Sequence, residues 1–422
     1  MAEGKLTRSP GPRVGASDFG PTRPPSLADA VLRLIWDEER ISRAEIARRA
    51  ELSRSTVSEI VETLLATGLV REAGVGASRG GRRPIVLEFQ DDAGTILGVD
   101  MGAAHVATIL TDLRGRILAS ERSAHPVQTD PVGARRVIRA QVDSCLTGRG
   151  LAERRLVGVG VAVPSPVDLR HPDRLSPVAM PAWEGRHGLC EVLADLEVPV
   201  LVDNDANLGA LAERWWGAAQ GLDHFAYIKI ATGIGAGHVI DGRIHRGASG
   251  VGGEIGHIAI DPRGETCNCG NRGCLTTFVG APALEARIRA LAPVYPQSPL
   301  ATGAPTIVRL EAAAREDDPL ALQVVQEVAE HLGVAIAGML NLLNPAAVIL
   351  GGRIAGLGDR LIVPLRANAL RRTFVPAAAA TEIRASTLGR HGIALGAATL
   401  VLDAALRDPR LFRAVSRART GR

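Results

Sequence analysis

Two stretches of the chain repeat one pattern. "TILGVDMGAAHVATILTDLRGRILASER" (residues 95–122) reads as three consecutive strands, with turns at Gly102–Ala104 and Arg114-Gly115. "HFAYIKIATGIGAGHVIDGRI" (224–244) opens a second strand set on a Gly-rich turn. A helix near 131–147, the strand "RLVGVGVAVPSPV", a helix over 187–196, the strand "VPVLVDND" and a helix over 206–218 follow the first set. Helices near 306–316 and 319–343, the strand "AAVILGG" and a final helix near 392–406 follow the second. This is the signature of an α/β region made of two similar lobes, which take ligands in the cleft between them. Aromatic residues are only 3% of the chain, so its cores are built from Ala, Val, Leu and Ile.

Ahead of this region the pattern differs. From Ser26 to about Phe89 three helical segments precede two short strands. "SLADAVLRLIWDEE" places Leu27, Val31, Leu34 and Ile35 on one face. Ser42 reads as an N-cap with Glu45 completing a capping box, and Ser53 caps the next helix, where Val57, Ile60, Val61, Leu64 and Leu65 face inward. "REAGVGASRGGRRPIVLEF" then reads as a β-ribbon with a basic, Gly-rich tip. Helix, turn, helix and basic ribbon together form a winged helix-turn-helix. Its recognition helix presents Arg54, Ser55, Thr56 and Ser58 to the major groove, while Arg79, Arg82 and Arg83 on the wing reach phosphates or the minor groove. The alternative is a helical dimerisation module with a solvated loop, which the run "RGGRRP" disfavours.

A formal charge of +4 over 422 residues is too small to argue nucleic-acid binding without that local pattern. Basic side chains are almost all arginine, with lysine only at Lys5 and Lys229. No run of about 18 uninterrupted apolar residues predicts a membrane span. Residues 1–25 lack the apolar core of a secretory signal and read as a flexible arm. Five cysteines, an odd number, fit a reducing cytoplasm better than a disulfide framework.

Three of those cysteines fall within "HIAIDPRGETCNCGNRGC", residues 257–274. Cys267, Cys269 and Cys274 with His257 make a closed tetrahedral zinc set, which leaves no open position for catalysis. Nearby, "GGEIGH" places Glu254 where it can accept hydroxyl hydrogen bonds while the metal orients His257. "DNDAN" ends a strand and starts a helix, so Asn204 and Asp205 face the cleft. Asp205 could act as a general base toward a sugar hydroxyl, or simply cap the helix. Gly233, Gly235 and Gly237 form a turn that could approach a ligand, whereas the first turn, Gly102-Ala103-Ala104-His105, lacks the glycines and hydroxyl of a phosphate cradle.

Taken together, "GVDMG", "WEG" at 183–185, "DNDAN", "GEIGH" with its cysteine loop and "NPAAVILGG" resemble the ROK family of repressors, open reading frames and sugar kinases. The similarity runs from about Ser26 to Asp403, and "GRRP" at 81–84 resembles the repressor branch. The resemblance implies a two-lobed, actin-like and ribonuclease-H-like α/β fold behind the winged helix, assembled as homodimers or homotetramers. It implies structural zinc on His257, Cys267, Cys269 and Cys274, and hydroxyl contacts from Asn204, Asp205, Glu254 and His257, with Asp205 matching the kinases' base. It also marks departures from those kinases. Ala103-Ala104 replaces Gly-Thr, Ser165 replaces Gly, Ala179 replaces Asn, and Thr276 replaces a sugar-contacting Glu.

The expected organisation is an arm (1–25), a winged helix-turn-helix (26–90), a first lobe (91–205, with helix 392–406 packing back) and a second lobe with the zinc site (206–391). The expected function is a cytoplasmic regulator, a repressor of carbohydrate-related genes. It would bind a double-stranded operator and a sugar or sugar derivative held by Asn204, Asp205, Glu254, His257 and Thr276. Asp205 remains as a vestigial base in a chain that is not an enzyme. The alternatives are an ATP-dependent sugar kinase and a regulator governed by a protein partner.

Overall fold

Ser26 starts the first helix by a reciprocal cap: its Oγ accepts from Asp29 N–H, and its own N–H donates to Asp29 Oδ2 at 2.6 Å. The computed structural model describes residues 26–75, 84–147, 155–168, 171, 174–184, 189–374 and 380–413. Helix α1 (Leu27–Asp37) buries Val31, Leu32, Ile35 and Trp36. Leu27, expected on that face, is exposed, because the stripe is turned toward Leu32 and Trp36. A three-residue strand β1 (Arg40–Ser42), too short for a periodic signal, precedes α2 (Arg43–Arg49) and α3 (Arg54–Ala66). Strands β2 (Val70–Val75) and β3 (Ile85–Phe89) complete an antiparallel sheet of order β1-β3-β2.

Ser42 caps α2 by accepting from Glu45 N–H at 3.2 Å, but Glu45 does not return the bond. Its carboxylate is held instead by Arg48 and Arg49, whose hydrogen bonds pull it down to about 2. Ser53 caps α3 as expected, and Val57, Val61 and Leu64 fill the core beneath it.

The α/β region contains two sheets with one topology. Strands β4 (Thr95–Gly102), β5 (His105–Asp112) and β6 (Ile117–Ala124) form an antiparallel meander; β7 (Leu156–Val163) and β8 (Val200–Asn204) extend it in parallel, in the order β6-β5-β4-β7-β8. Strands β9 (Phe225–Ile230), β10 (Ile234–Ile240), β11 (Arg243–His245), β12 (Ala347–Gly351) and β13 (Glu382–Ala385) repeat the arrangement as β11-β10-β9-β12-β13. Helix α4 (Pro131–Leu146) covers the outer face of the first sheet. Of the expected helix over 187–196, the described residues show α5 (Leu189–Val192) and a single 3-10 turn, Ala194–Leu196; residues 187 and 188 lie outside them.

Between the sheets lies α6 (Asp205–Trp216), almost wholly buried. Past the second meander come α7 (Thr276–Val279), α8 (Ala281–Leu291), α9 (Ile307–Arg315), α10 (Pro319–Leu343), α11 (Asp359–Leu370) and α12 (Gly392–Arg407). Helix α10 is long and apolar enough to cross a membrane, yet Leu320, Val324, Leu332 and Ile336 are fully buried in the core of the second sheet. Helix α12 packs back on the inner face of the first sheet. There it rides so close to β4 and β7 that a side chain at Gly98 or Gly160 would strike the α12 carbonyls of Ala394 or Ala397.

Candidate functional site

The C-terminal ends of β4, β7 and β8 bring a row of side chains to the cleft. The register aligns Arg122, Ala107, Asp100, Ala162 and Asp203 across five neighbouring strands. Residues opposite one another in a ladder share a face, so Asp100 and Asp203 look out on the same side, toward the second sheet. Two cations from that side meet them. Arg246, just after β11, donates Nε and Nη2 to Asp203 Oδ2 at 2.9 and 2.6 Å. Lys229, on β9, donates to Asp205 Oδ2 at the first turn of α6 and lies within the field of Asp100. Burial opposes charge on the Lys229 amine, but the two carboxylates outweigh it and raise its pKa.

Asp100 is itself engaged. His105 Nε2 meets Asp100 Oδ2 at 2.9 Å, and the His105 ring stands where a side chain at Gly102 would be. Burial alone would raise the Asp100 pKa. The His105 hydrogen bond, with the charges of Lys229 and Arg122, reverses that and holds it below the usual carboxylate range. The turn expected to lack a phosphate cradle is thus closed by its own histidine.

Asn204, rather than Asp205, caps α6. Its Oδ1 accepts from Ala206 and Asn207 N–H at 2.9 and 3.2 Å, and its Nδ2 donates to the Ser165 carbonyl. This leaves one N–H of the amide without a partner among the described residues. Ser165 is buried and braces this loop by accepting from Ser176 N–H at 3.0 Å. Asp205 stands one residue further on, its pKa raised by burial and only partly drawn back by Lys229.

The glycines after β9 divide between two tasks. Gly235 and Gly237 lie within β10 rather than in a turn, against Ala206: a Cβ at Gly237 would collide with the Ala206 carbonyl oxygen. Their smallness seats α6, not a ligand. Gly233 alone opens on free space, with Thr276 Oγ1, at the start of α7, its nearest neighbour. From β10, Ala236 N–H donates to Gly253 O at 2.9 Å, which lays the 253–257 turn beside the start of α6. Glu254 on that turn is half-buried, its pKa raised by burial and by Asp205, and its carboxylate accepts no hydrogen bond from a described residue. His257 follows one short turn later.

His257, Cys267, Cys269 and Cys274 place one donor atom each within 4.8 Å of all the others and could hold a metal ion. Cys267 Sγ is 3.5 Å from His257 Nδ1, and Cys269 Sγ is 3.7 Å from Cys274 Sγ. These are the edges of a tetrahedron, which measure about 3.8 Å for sulfur at the usual zinc distance. The His257 nitrogen that meets the sulfurs is Nδ1, so Nε2 lies outside the cluster's contacts.

At the start of α3, Arg54 and Ser55 are exposed, and Arg54 makes no ion pair among the described residues. Three hydroxyls have local partners as well: Ser55 and Thr56 each lie 2.8 Å from Ser53 Oγ, and Ser58 donates to the Arg54 carbonyl at 2.9 Å. Arg79, Arg82 and Arg83 lie outside the described residues. Lys229 and Arg246 belong to no motif of the sequence, whereas Asp100 ends the strand of "GVDMG". The available signal was a lone charge in the apolar strand "FAYIKI", in a chain with one other lysine.

A winged helix-turn-helix joined to a duplicated α/β cleft defines a class of ligand-governed, DNA-binding transcriptional regulators. Residues 96–404 match the ROK family and residues 30–71 match a winged helix-turn-helix DNA-binding family. The chain belongs to the ROK family. It is 30% identical over 383 residues to the xylose repressor of Caldicellulosiruptor bescii, spanning 90% of this chain and 96% of that one. It is 34% identical over 337 residues to the N-acetylglucosamine repressor of Escherichia coli O6:H1, spanning 79% and 82%. Among solved structures, a ROK family transcriptional regulator homologous to the E. coli MLC protein superposes with a TM-score of 0.76 at 27% identity, covering 92% of this chain and 98% of that one. The ROK family glucokinase of Streptomyces griseus, in complex with glucose and AMPPNP, superposes with a TM-score of 0.64 at 29% identity over 73% and 99%.

Proposed function

We propose that this chain is a transcriptional repressor whose cleft binds a neutral sugar or sugar derivative and transfers no phosphoryl group. The observation that carries the reading is the state of Asp205. In a working kinase the base must accept a proton from the substrate hydroxyl, beside a turn that cradles phosphates. Here its carboxylate is tied to Lys229, and the first turn is filled by the His105–Asp100 pair. What remains is a recognition set for hydroxyls: Glu254 and Asp205 as acceptors, His257 Nε2, the second N–H of the Asn204 amide, and Thr276 across from Gly233. The names of the two repressor relatives support a sugar as the effector.

Zinc on His257, Cys267, Cys269 and Cys274 would clamp the 257–274 loop, so fixing the His257 ring and its Nε2 proton toward the cleft. The operator contacts fall to Arg54, Ser55, Thr56 and Ser58 on α3, with Arg79, Arg82 and Arg83 on the wing. Two copies of the chain place two recognition helices on successive half-sites.

Binding of a labelled duplex, selected by the protein from a random-sequence library, tests the reading in a titration with D-xylose, N-acetylglucosamine and other sugars. Release of the duplex by at least one of them is expected. Affinity indifferent to the whole set would overturn the sugar-effector reading, and transfer of phosphate from ATP to any of the sugars would overturn the non-enzymatic one.

A further inference from the structure

Three of the chain's four tryptophans meet where the winged helix joins the α/β region. Trp36 on α1 lies with its ring centroid 5.2 Å from Trp215 and 6.1 Å from Trp216, the last two residues of α6, which are 5.7 Å from each other. Both polar edges at the rim are satisfied: Trp36 Nε1 donates to the Leu113 carbonyl at 3.1 Å and Trp216 Nε1 to Thr399 Oγ1 of α12 at 2.8 Å. The Arg33 guanidinium lies 4.6 Å from the Trp215 centroid and 5.1 Å from that of Trp36, and is also paired with Asp37 and Asp403. Arg114 covers Trp36 at 4.4 Å. The apolar side chains around this cluster form one continuous core, from Val31, Leu32 and Ile35 of α1 to Leu208 and Leu211 of α6 and Leu400 and Val401 of α12.

The opposite end of α6 is the cleft. Asn204 caps it, Asp205 is its first residue, and Lys229 reaches that residue from the second sheet. Twelve residues at 1.5 Å rise span about 18 Å. The helix contains no proline and is buried along nearly its whole length, packed between two sheets. A close-packed helix in such a setting shifts as a body rather than bending. Displacement at Asp205 is therefore delivered to Trp215 and Trp216, and through Trp36 to the helix that carries α2 and α3.

We infer that α6 is the coupling rod between the cleft and the DNA-binding domain, with Arg33, Trp36, Trp215 and Trp216 as its clasp. A ligand hydroxyl that displaces Lys229 from Asp205 frees the cleft end of the rod, and the clasp converts that freedom into a change in the aim of α3. The inference rests on the proposed function only for the identity of the molecule that occupies the cleft.

The test is a double-mutant cycle on the full-length protein, read as affinity for the selected duplex, and it needs no effector. Asp205→Asn releases the cleft end; Trp36→Leu, or Arg33→Met at a partly exposed side chain that leaves the core intact, opens the clasp. Asp205→Asn is expected to change DNA affinity by about fivefold or more in the otherwise native chain, the lower range of measured site-to-site couplings. In either clasp background its effect should fall below about twofold. An Asp205→Asn effect of equal size in all backgrounds, or none in the native chain, overturns the rod. D-xylose and N-acetylglucosamine added to the native complex separate the two conclusions. Release by sugar with an additive cycle removes the clasp and keeps the sugar reading; a non-additive cycle with no release by any sugar does the reverse.

Discussion

At the scale of single residues the cleft is governed by charge compensation. Lys229 faces two buried carboxylates, and removing it leaves Asp205 without the cation it is paired with. Lys229→Met is expected to cost about 3–5 kcal/mol of stability, the usual penalty for orphaning a buried ion-pair partner, and a second change, Asp205→Asn, should recover part of that loss in urea titrations. Asp100 adds a pH dependence whose sign follows from its depressed pKa. Its contribution is complete above about pH 4, the ordinary aspartate value, and disappears as the pH falls through the lower value of the folded state. Urea midpoints measured from about pH 6 downward should therefore fall on the acid side, and His105→Ala, which removes the hydrogen bond that holds the folded-state value down, should make that fall smaller. Little of this was readable in advance. The sequence puts Asp100, Asp203, Asp205 and Lys229 on four different elements, and only the register of β4, β7 and β8 and the crossing of β9 bring them together.

At the scale of elements, the sequence is legible where the period is long and the caps are local. Ser53 and α3, the two meanders and α10 stand where the pattern places them. Strands β1 and β13, of three and four residues, are shorter than any window that could show alternation. Helix α11 runs through Pro364, which has no N–H to donate and ordinarily marks an ending. The start of α3 carries the helix cap and, in the proposed reading, the operator contacts. Ser53→Ala should lower stability by about 1 kcal/mol. Arg54→Ala should weaken DNA binding, with a loss confined to one base step if the guanidinium meets a guanine and a salt slope shallower by about 1 if it meets a phosphate. The 257–274 loop is the element least able to hold its shape alone, since it is mostly turn. Treatment with a chelator under reducing conditions is expected to lower the melting temperature by several degrees and to weaken sugar binding, with both restored by added zinc. Cys269→Ser should reproduce the loss and resist the rescue.

At the scale of the whole molecule, the two sheets share one strand order, and their inner faces are filled by α6 and α12 rather than by each other. The winged helix is not a tethered head: its apolar face is continuous with the core around α6 and α12. Tryptophan emission, dominated by the three clustered rings, and far-ultraviolet circular dichroism should therefore report one coincident thermal transition for the DNA-binding domain and the first sheet. A separate early transition of the winged helix would contradict the shared core. The scarcity of lysine beside arginine has a practical consequence. Because Lys5 and Lys229 are the chain's two lysines, isotope-labelled lysine would yield a side-chain spectrum of two amines, one of them the cleft's own ammonium. The protein carries its own reporter at the point where an arriving hydroxyl must compete for Asp205, and no residue needs to be changed to read it.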